Sequence, residues 1–196
     1  MHLLIATRNA DKLKEIRSVF SLPGLTFSSA LDHPEIPEVE EDGSTAEENS
    51  AKKARTLALE TGHWTLADDT SLEVEALEGA PGIYAARYAG EDATYADNVR
   101  KLLKELSGIE NRSARFRSVI SLSDPAGGVR HVDGEIEGTI TEEPRGSDGF
   151  GYDPIFLPKG EGRTFAEMPE EIKNRISHRA LALREAQRSW SSLLLV

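Results

Sequence analysis

Within its first twenty residues the chain changes period. In HLLIATRNADKLKEIRSVF, Leu3 to Ala6 is a short apolar run and Thr7 to Lys12 is polar. Leu13, Ile16, Val19 and Phe20 then recur at helical spacing. A strand that feeds a helix through a polar turn is a unit that α/β proteins are built from. Such turns are also where open α/β proteins hold anions. Asn9 and Asp11 are the two candidate caps of the helix.

The pattern continues along the chain. LDHPEIPEVEEDGS (residues 31–44) has two prolines among acids and reads as a loop or extended segment. Thr45 to Leu59 reads as a helix, with Thr45 and Glu48 spaced as a capping box and Ala51, Ala54 and Ala58 on a small-residue face. Trp64 to Ala67 reads as a short strand ending at Asp68 and Asp69. GAPGIYAARYAG (79–90) reads as an ordered loop, and Ala93 to Leu106 as a helix. Ala114 to Leu122 and Val129 to Ile140 flank a turn at 124–128 and form a long hairpin, with Gly134 and Gly138 at bulge or close-approach points. A short strand is expected at Pro154 to Leu157. A helix follows from Pro169 through Gln187, with Ser177 as a second possible cap, and then an apolar tail from Trp190 to Val196. These elements predict an α/β protein with an elongated mixed β-sheet and flanking helices, one domain over 1–196 built as two lobes.

Composition narrows the function classes. At 38% hydrophobic and 29% charged, the chain suits a folded protein with a core. It has no cysteine, which excludes disulfides, thiolate metal sites and cysteine nucleophiles. No apolar run reaches the roughly 18 residues of a membrane span, and the start lacks a signal-peptide pattern. The expectation is a cytoplasmic protein with no membrane partner. A net charge of −11 argues against a nucleic acid polymer as partner, while leaving room for a local basic pocket.

Four groups of residues are able to carry chemistry. TRNADK (Thr7 to Lys12) can hold phosphate on main-chain amides with Lys12 adding charge, or it can be an ordinary strand-to-helix turn. Asp68 and Asp69 are adjacent on an extended segment and point to opposite sides. One of them, with Glu40 or Glu41 from the acidic loop, makes a reasonable Mg²⁺ pair; the alternative is a solvated acidic surface. Lys173, Ser177, His178 and Arg179 gather cationic groups near the last helix, Lys173 and Ser177 sharing a face if the helix is unbroken. In SDGFGYDP (Ser147 to Pro154), Phe150 and Tyr152 offer ring faces for a planar base and Asp153 a carboxylate, or the aromatics pack into the core. Together these are the inventory of a nucleotide site.

Five segments in order also carry a resemblance. They are ATRNADKLKEI, VEEDGSTAEENSAKKA, ADDTSLEVEALEGAPGIYAARYAG, SDGFGYDPIFLP and EEIKNRISHRALAL. The chain resembles the inosine/xanthosine triphosphate pyrophosphatase family nearly end to end. The resemblance implies a mixed sheet with helices in two lobes around a central nucleotide cleft, a homodimer and a need for Mg²⁺. It implies hydrolysis of inosine, deoxyinosine and xanthosine triphosphates to the monophosphate and pyrophosphate. By the same resemblance Asp69 is the catalytic proton acceptor and a metal ligand, and Glu40 is the second metal position with Glu41 as its competitor. Thr7, Arg8, Asn9, Ala10, Asp11 and Lys12 are the phosphate segment. Thr70, the base loop Phe150, Gly151, Tyr152 and Asp153, and Lys173, His178 and Arg179 are the other substrate contacts. The chain departs from the family at Asp11 and Ser71, where glycine is usual, and at Arg8. The alternatives are a related pyrophosphatase with another base preference and a nucleotide-binding sensor that turns nothing over.

Overall fold

The computed structural model describes residues 1–195. The strands are β1 (His2–Ile5), β2 (Thr26–Ser29), β3 (Trp64–Val74), β4 (Pro81–Gly82), β5 (Ser113–Ser123), β6 (Val129–Ile140) and β7 (Phe156–Pro158). The helices are α1 (Ala10–Val19), α2 (Ala46–Thr61), α3 (Tyr95–Glu105), α4 (Glu170–Ile176) and α5 (His178–Leu194). The seven strands form one sheet in the order β2-β1-β3-β5-β6-β7, with β4 paired to β3. β1 is parallel to β2 and to β3, while β3–β4 and β6–β7 are antiparallel, so the sheet is mixed as expected.

The chain divides into two compact units. The first holds Met1–Asp69, Ser118–Gly134 and the chain from Arg179 onward; the second holds Thr70–Arg117 and Glu135–His178. In the first unit β1 is buried on both faces, which is why it reads as an unbroken apolar run. Its alternate side chains enter different cores. Leu3 and Ile5 pack with Leu13 and Ile16 of α1, with Phe20 just past its end, and with Leu183, Trp190 and Leu194 of α5. Leu4 packs with Ala54 and Leu57 of α2 and with Ala67. In the second unit Leu72, Val74, Leu102, Phe116, Ile155, Phe156 and Phe165 form a separate core.

Several sequence expectations change. The strand starting at Trp64 runs to Val74, so Asp68 and Asp69 sit inside it and not at its end. Thr70 to Val74 continue the extended run because Leu72 and Val74 each have a core to enter. The short polar β2 was not expected; its pairing with β1 supplies what its side chains do not signal. The predicted helix from Pro169 splits at Ser177, whose extended ψ of 153° ends α4 before α5 begins. Lys173 and Ser177 therefore share no continuous helix face. The apolar tail is helical through Leu194, with Trp190 and Leu194 buried; Val196, the last residue of that prediction, lies outside the described residues. The strand expected at Pro154 begins instead at Phe156, after a 3-10 turn over Asp153–Ile155. The close approach at Gly138 is present. A Cβ there would lie 2.5 Å from the Leu157 carbonyl oxygen.

Candidate active site

Asp68 and Asp69 are consecutive on β3 and turn to different partners, as alternation requires. The Asp68 carboxylate accepts from Lys12 Nζ at 2.8 Å and from Arg179 Nε at 3.3 Å. Arg179 also donates from Nη1 to Glu15 Oε2 at 2.5 Å. All of Asp68, Glu15 and Arg179 are buried. Burial works to raise the Asp68 pKa, but Arg179 and Lys12 outweigh it and hold the carboxyl well below the usual range. Asp68 is thus a fixed negative charge, and Arg179 is a brace for it.

Asp69 is its electrostatic opposite. Its Oδ1 is 3.6 Å from Lys53 Nζ, and its buried Oδ2 has no hydrogen-bond partner among the described residues. Burial pushes its pKa up to about 6; Lys53 and Lys12 pull it down, while Glu41 and Asp68 push with the burial. Lys53 donates to Glu41 Oε1 at 2.5 Å and to the Asp68 carbonyl oxygen at 2.8 Å. Glu41 therefore shares Lys53 with Asp69, whereas Glu40 beside it is exposed. Burial alternates along this segment, with Val39 and Glu41 half-buried and Glu40 exposed, and Val39 packs on the small core of α2.

The turn from β1 into α1 is more occupied than its sequence suggests. Asn9 is the cap, its Oδ1 accepting from Asp11 N and Lys12 N at 3.0 Å each. Thr7 Oγ1 accepts from Asn9 N at 3.2 Å. Arg8 Nη2 donates to the Ile36 carbonyl at 2.5 Å, tying the acidic loop's approach to this turn. Ala10 and Asp11 are exposed. Asp11 lies in the first turn of α1, where a carboxylate is favourable toward the helix dipole. Lys12 Nζ remains the cation that the turn contributes.

The second unit holds the other predicted residues. Phe150 is half-buried, its ring 5.8 Å from Tyr95, with Lys173 Nζ 4.8 Å from the ring centroid. Asp153 does not present its carboxylate outward. It accepts from Phe150 N at 2.9 Å and from the buried Lys173 ammonium. The acid therefore closes the loop on itself, because a carboxylate this buried needs a paired cation. Gly149 makes that closure possible, with φ of +72° and no room for a Cβ against Asp153 Oδ2. Tyr152 offers no ring face; it is core, and its hydroxyl donates to the Ala85 carbonyl at 2.7 Å. Gly151 is half-buried and has φ of +62°. His178 is buried and stacks on Phe116 with centroids 4.4 Å apart and planes 9° apart. Thr70 is half-buried at the point where β3 enters this unit. Ser71 lies in β3, outside the left-handed region, so glycine's freedom is not required there.

Lys53 and Glu15 were not among the sequence candidates. Their sequence positions do not mark them: Lys14 lies between the same core positions Leu13 and Ile16 and is exposed, and Arg55 flanks Ala54 as Lys53 does and is exposed.

Among the described residues no group of three or more His, Asp or Glu closes on one point. Asp69 and Glu41 are two hard oxygen donors, one with an unsatisfied buried oxygen. That set suits a magnesium ion whose remaining ligands are substrate phosphates and water.

Residues 3–189 match the Ham1 family. The chain belongs to the Ham1 family. This Ham1-family chain is 48% identical over 185 residues to the dITP/XTP pyrophosphatase of Bacillus licheniformis, covering 93% of this chain and 94% of that protein. It is 48% identical over 195 residues to the dITP/XTP pyrophosphatase of Geobacter sulfurreducens, covering 97% and 98%. The solved HAM1 protein of Coxiella burnetii superposes with a TM-score of 0.89 at 38% identity, covering 98% of this chain and 99% of that one. The Ham1 protein of Staphylococcus aureus gives 0.88 at 37% identity, covering 98% and 100%. The α/β fold with a mixed sheet and flanking helices is thus common to the Ham1-family chain and its solved relatives. No helix among its described residues is long and apolar enough to cross a membrane.

Proposed function

We propose that this chain hydrolyses deoxyinosine, inosine and xanthosine triphosphates to the nucleoside monophosphate and pyrophosphate, with Mg²⁺. The observation that carries the reading is Asp69, a buried carboxylate with one oxygen unpartnered, set beside two lysines and a second carboxylate. The names of the 48%-identical relatives supply the base class.

The reaction adds water across the α–β phosphoanhydride. A water oxygen attacks the α-phosphorus, the bond to the bridging oxygen breaks, and pyrophosphate leaves with that electron pair. Asp69 is suited to accept the water's proton: it is a buried carboxylate with one oxygen that no described residue occupies. Asp68, held ionised by Arg179 and Lys12, keeps the strand's second charge constant while Asp69 titrates. Lys12 and Lys53 offset phosphate charge. Asp69 and Glu41 would hold a magnesium ion, which would neutralise charge on the phosphate oxygens. Phe150 offers the accessible ring of its loop to a planar base, and Lys173 beneath it keeps that ring in place. Donors aimed at a 6-oxo group would favour hypoxanthine and xanthine over adenine, whose amino group leaves them unpaired. The family resemblance further implies a cytoplasmic homodimer; light scattering coupled to size exclusion reads the assembly.

The test is pyrophosphate release from a panel of nucleoside triphosphates with and without Mg²⁺. Fast Mg²⁺-dependent use of dITP, ITP and XTP and slow use of ATP and GTP are expected. Activity confined to a pyrimidine triphosphate would reassign the base. Tight binding of dITP without turnover would replace the enzyme reading with a sensor.

A further inference from the structure

The acidic loop before α2 is not free. Residues 41 to 44 run antiparallel along the first two turns of the helix, matched in order. Ser44 N donates to Glu48 Oε2 at 2.7 Å. Gly43 N donates to Asn49 Oδ1 at 2.8 Å. Lys52 Nζ donates to Asp42 Oδ1 at 2.6 Å, and Lys53 Nζ to Glu41 Oε1 at 2.5 Å. As the loop number falls the helix number rises, so the strap has a register.

The four links differ in kind. Lys52–Asp42 is a surface pair, its side chains 40% and 60% exposed, and such pairs contribute little. Ser44–Glu48 is also exposed. Gly43–Asn49 is the link that reaches a buried side chain, since Asn49 is 1% exposed. It also needs a bare backbone: a Cβ on Gly43 would lie 2.6 Å from Asn49 Oδ1 and 2.8 Å from Glu48 Cβ. Asn49 Nδ2, by contrast, is buried with no hydrogen-bond partner among the described residues. An open buried donor costs about 1–3 kcal/mol. A position serving only the core would shed that cost by carrying an apolar residue, so the amide is kept for what its oxygen holds.

We propose that Asn49 is a positioning residue for the magnesium site: by fixing Gly43 it sets the strap's register, so that Glu41 and not Glu40 stands with Lys53 beside Asp69. This rests on the reading of Asp69 and Glu41 as magnesium ligands. A slip of one residue would turn Glu41 out and Glu40 in, since neighbours on an extended segment face opposite ways.

The experiment uses the full chain with Asn49→Ala, Asn49→Asp, Gly43→Ala and Lys52→Ala. Hydrogen exchange of residues 39–45 is read on metal-free protein, and the Mg²⁺ half-saturation of dITP hydrolysis is read apart from the KM for dITP at saturating Mg²⁺. Asn49→Ala should speed strap exchange about tenfold and raise the Mg²⁺ half-saturation about tenfold, the low end for a group that orients a metal ligand. The dITP KM should stay within about twofold, because the strap contributes no phosphate contact. Asn49→Asp, which keeps the acceptor, should retain the exchange protection and most of the Mg²⁺ affinity. Gly43→Ala should reproduce Asn49→Ala from the loop side, and it decides the matter if Asn49→Ala does not fold. Lys52→Ala should move neither readout. Faster exchange with an unmoved Mg²⁺ requirement would overturn the proposal, as would an Asn49→Asp that behaves like Asn49→Ala. If the unaltered chain turns over no triphosphate, the functional reading falls separately. Mn²⁺ alone, titrated by electron paramagnetic resonance, then supplies the metal readout, and equal Mn²⁺ affinity in Asn49→Ala would overturn the positioning role.

Discussion

Two adjacent aspartates differ here because their neighbours differ. Asp68 meets a guanidinium and an ammonium and stays ionised. For Asp69 burial wins: Lys53 at 3.6 Å and Lys12 offset it only in part, and the pKa is pushed up to about 6 from an ordinary 3.8. A raised carboxyl pKa means that the folded state holds the proton more tightly than the unfolded chain. The associated stability is fully present below about pH 4 and is lost as pH rises through about 6. Asp69→Asn cannot ionise and escapes that loss. In metal-free buffer it should be more stable than the unaltered chain by about 2–3 kcal/mol at pH 7.5. The gain should vanish near pH 4, and turnover should fall by about three orders of magnitude or more. Urea unfolding at the two pH values and a pyrophosphate assay check both halves. The two glutamates separate in the same way. Glu41→Gln should raise the Mg²⁺ requirement about 10- to 100-fold and Glu40→Gln by much less, read from Mg²⁺ titrations of activity. The sequence brought both glutamates and both aspartates into view. Spacing left all four open, and the resemblance chose Asp69 and Glu40 with Glu41 as competitor; that Glu41 is the one beside Lys53 depends on which face of the strap lies against α2, which no spacing shows.

Single elements show where local signals are complete and where they are not. The α1 cap was legible to within two residues, and the structure assigns it to Asn9 because Asp11 falls inside the first turn. Asn9→Ala should lower stability by about 1 kcal/mol, measured by chemical denaturation, as expected when two first-turn amides lose their acceptor. The loop SDGFGYDP was legible as a special loop but not in its parts. Phe150 and Tyr152 are two apart and look equivalent, yet Tyr152 is drawn into the second unit's core by its bond to Ala85. Asp153 looked like a ligand group and proves to be the anchor of Lys173. Breaking that buried pair strands a charge. Lys173→Met should therefore cost about 3–5 kcal/mol, seen as a lowered denaturation midpoint, whereas an exposed lysine such as Lys159 should cost almost nothing. The split of the last helix at Ser177 was signalled by its capping residue. What sequence spacing could not show is that the break is complete, with ψ at 153°.

For the molecule as a whole, the α/β class followed from the change of period at the N-terminus and from the long hairpin. β3, β5 and β6 each pass from one compact unit into the other, so neither unit is a contiguous stretch of chain. That division has no composition signal, because the strands carry it in their interiors. The first unit gathers the carboxylates and lysines suited to a metal and phosphates, and the second holds Phe150 and His178. The measurement that bears most directly on the proposed reaction is hydrolysis of dITP in ¹⁸O-labelled water with Mg²⁺, with both products analysed by mass spectrometry. Attack at the α-phosphorus predicts one labelled oxygen in deoxyinosine monophosphate, unlabelled pyrophosphate in equal amount, and no orthophosphate. Label in the pyrophosphate, or release of orthophosphate with deoxyinosine diphosphate, would contradict it.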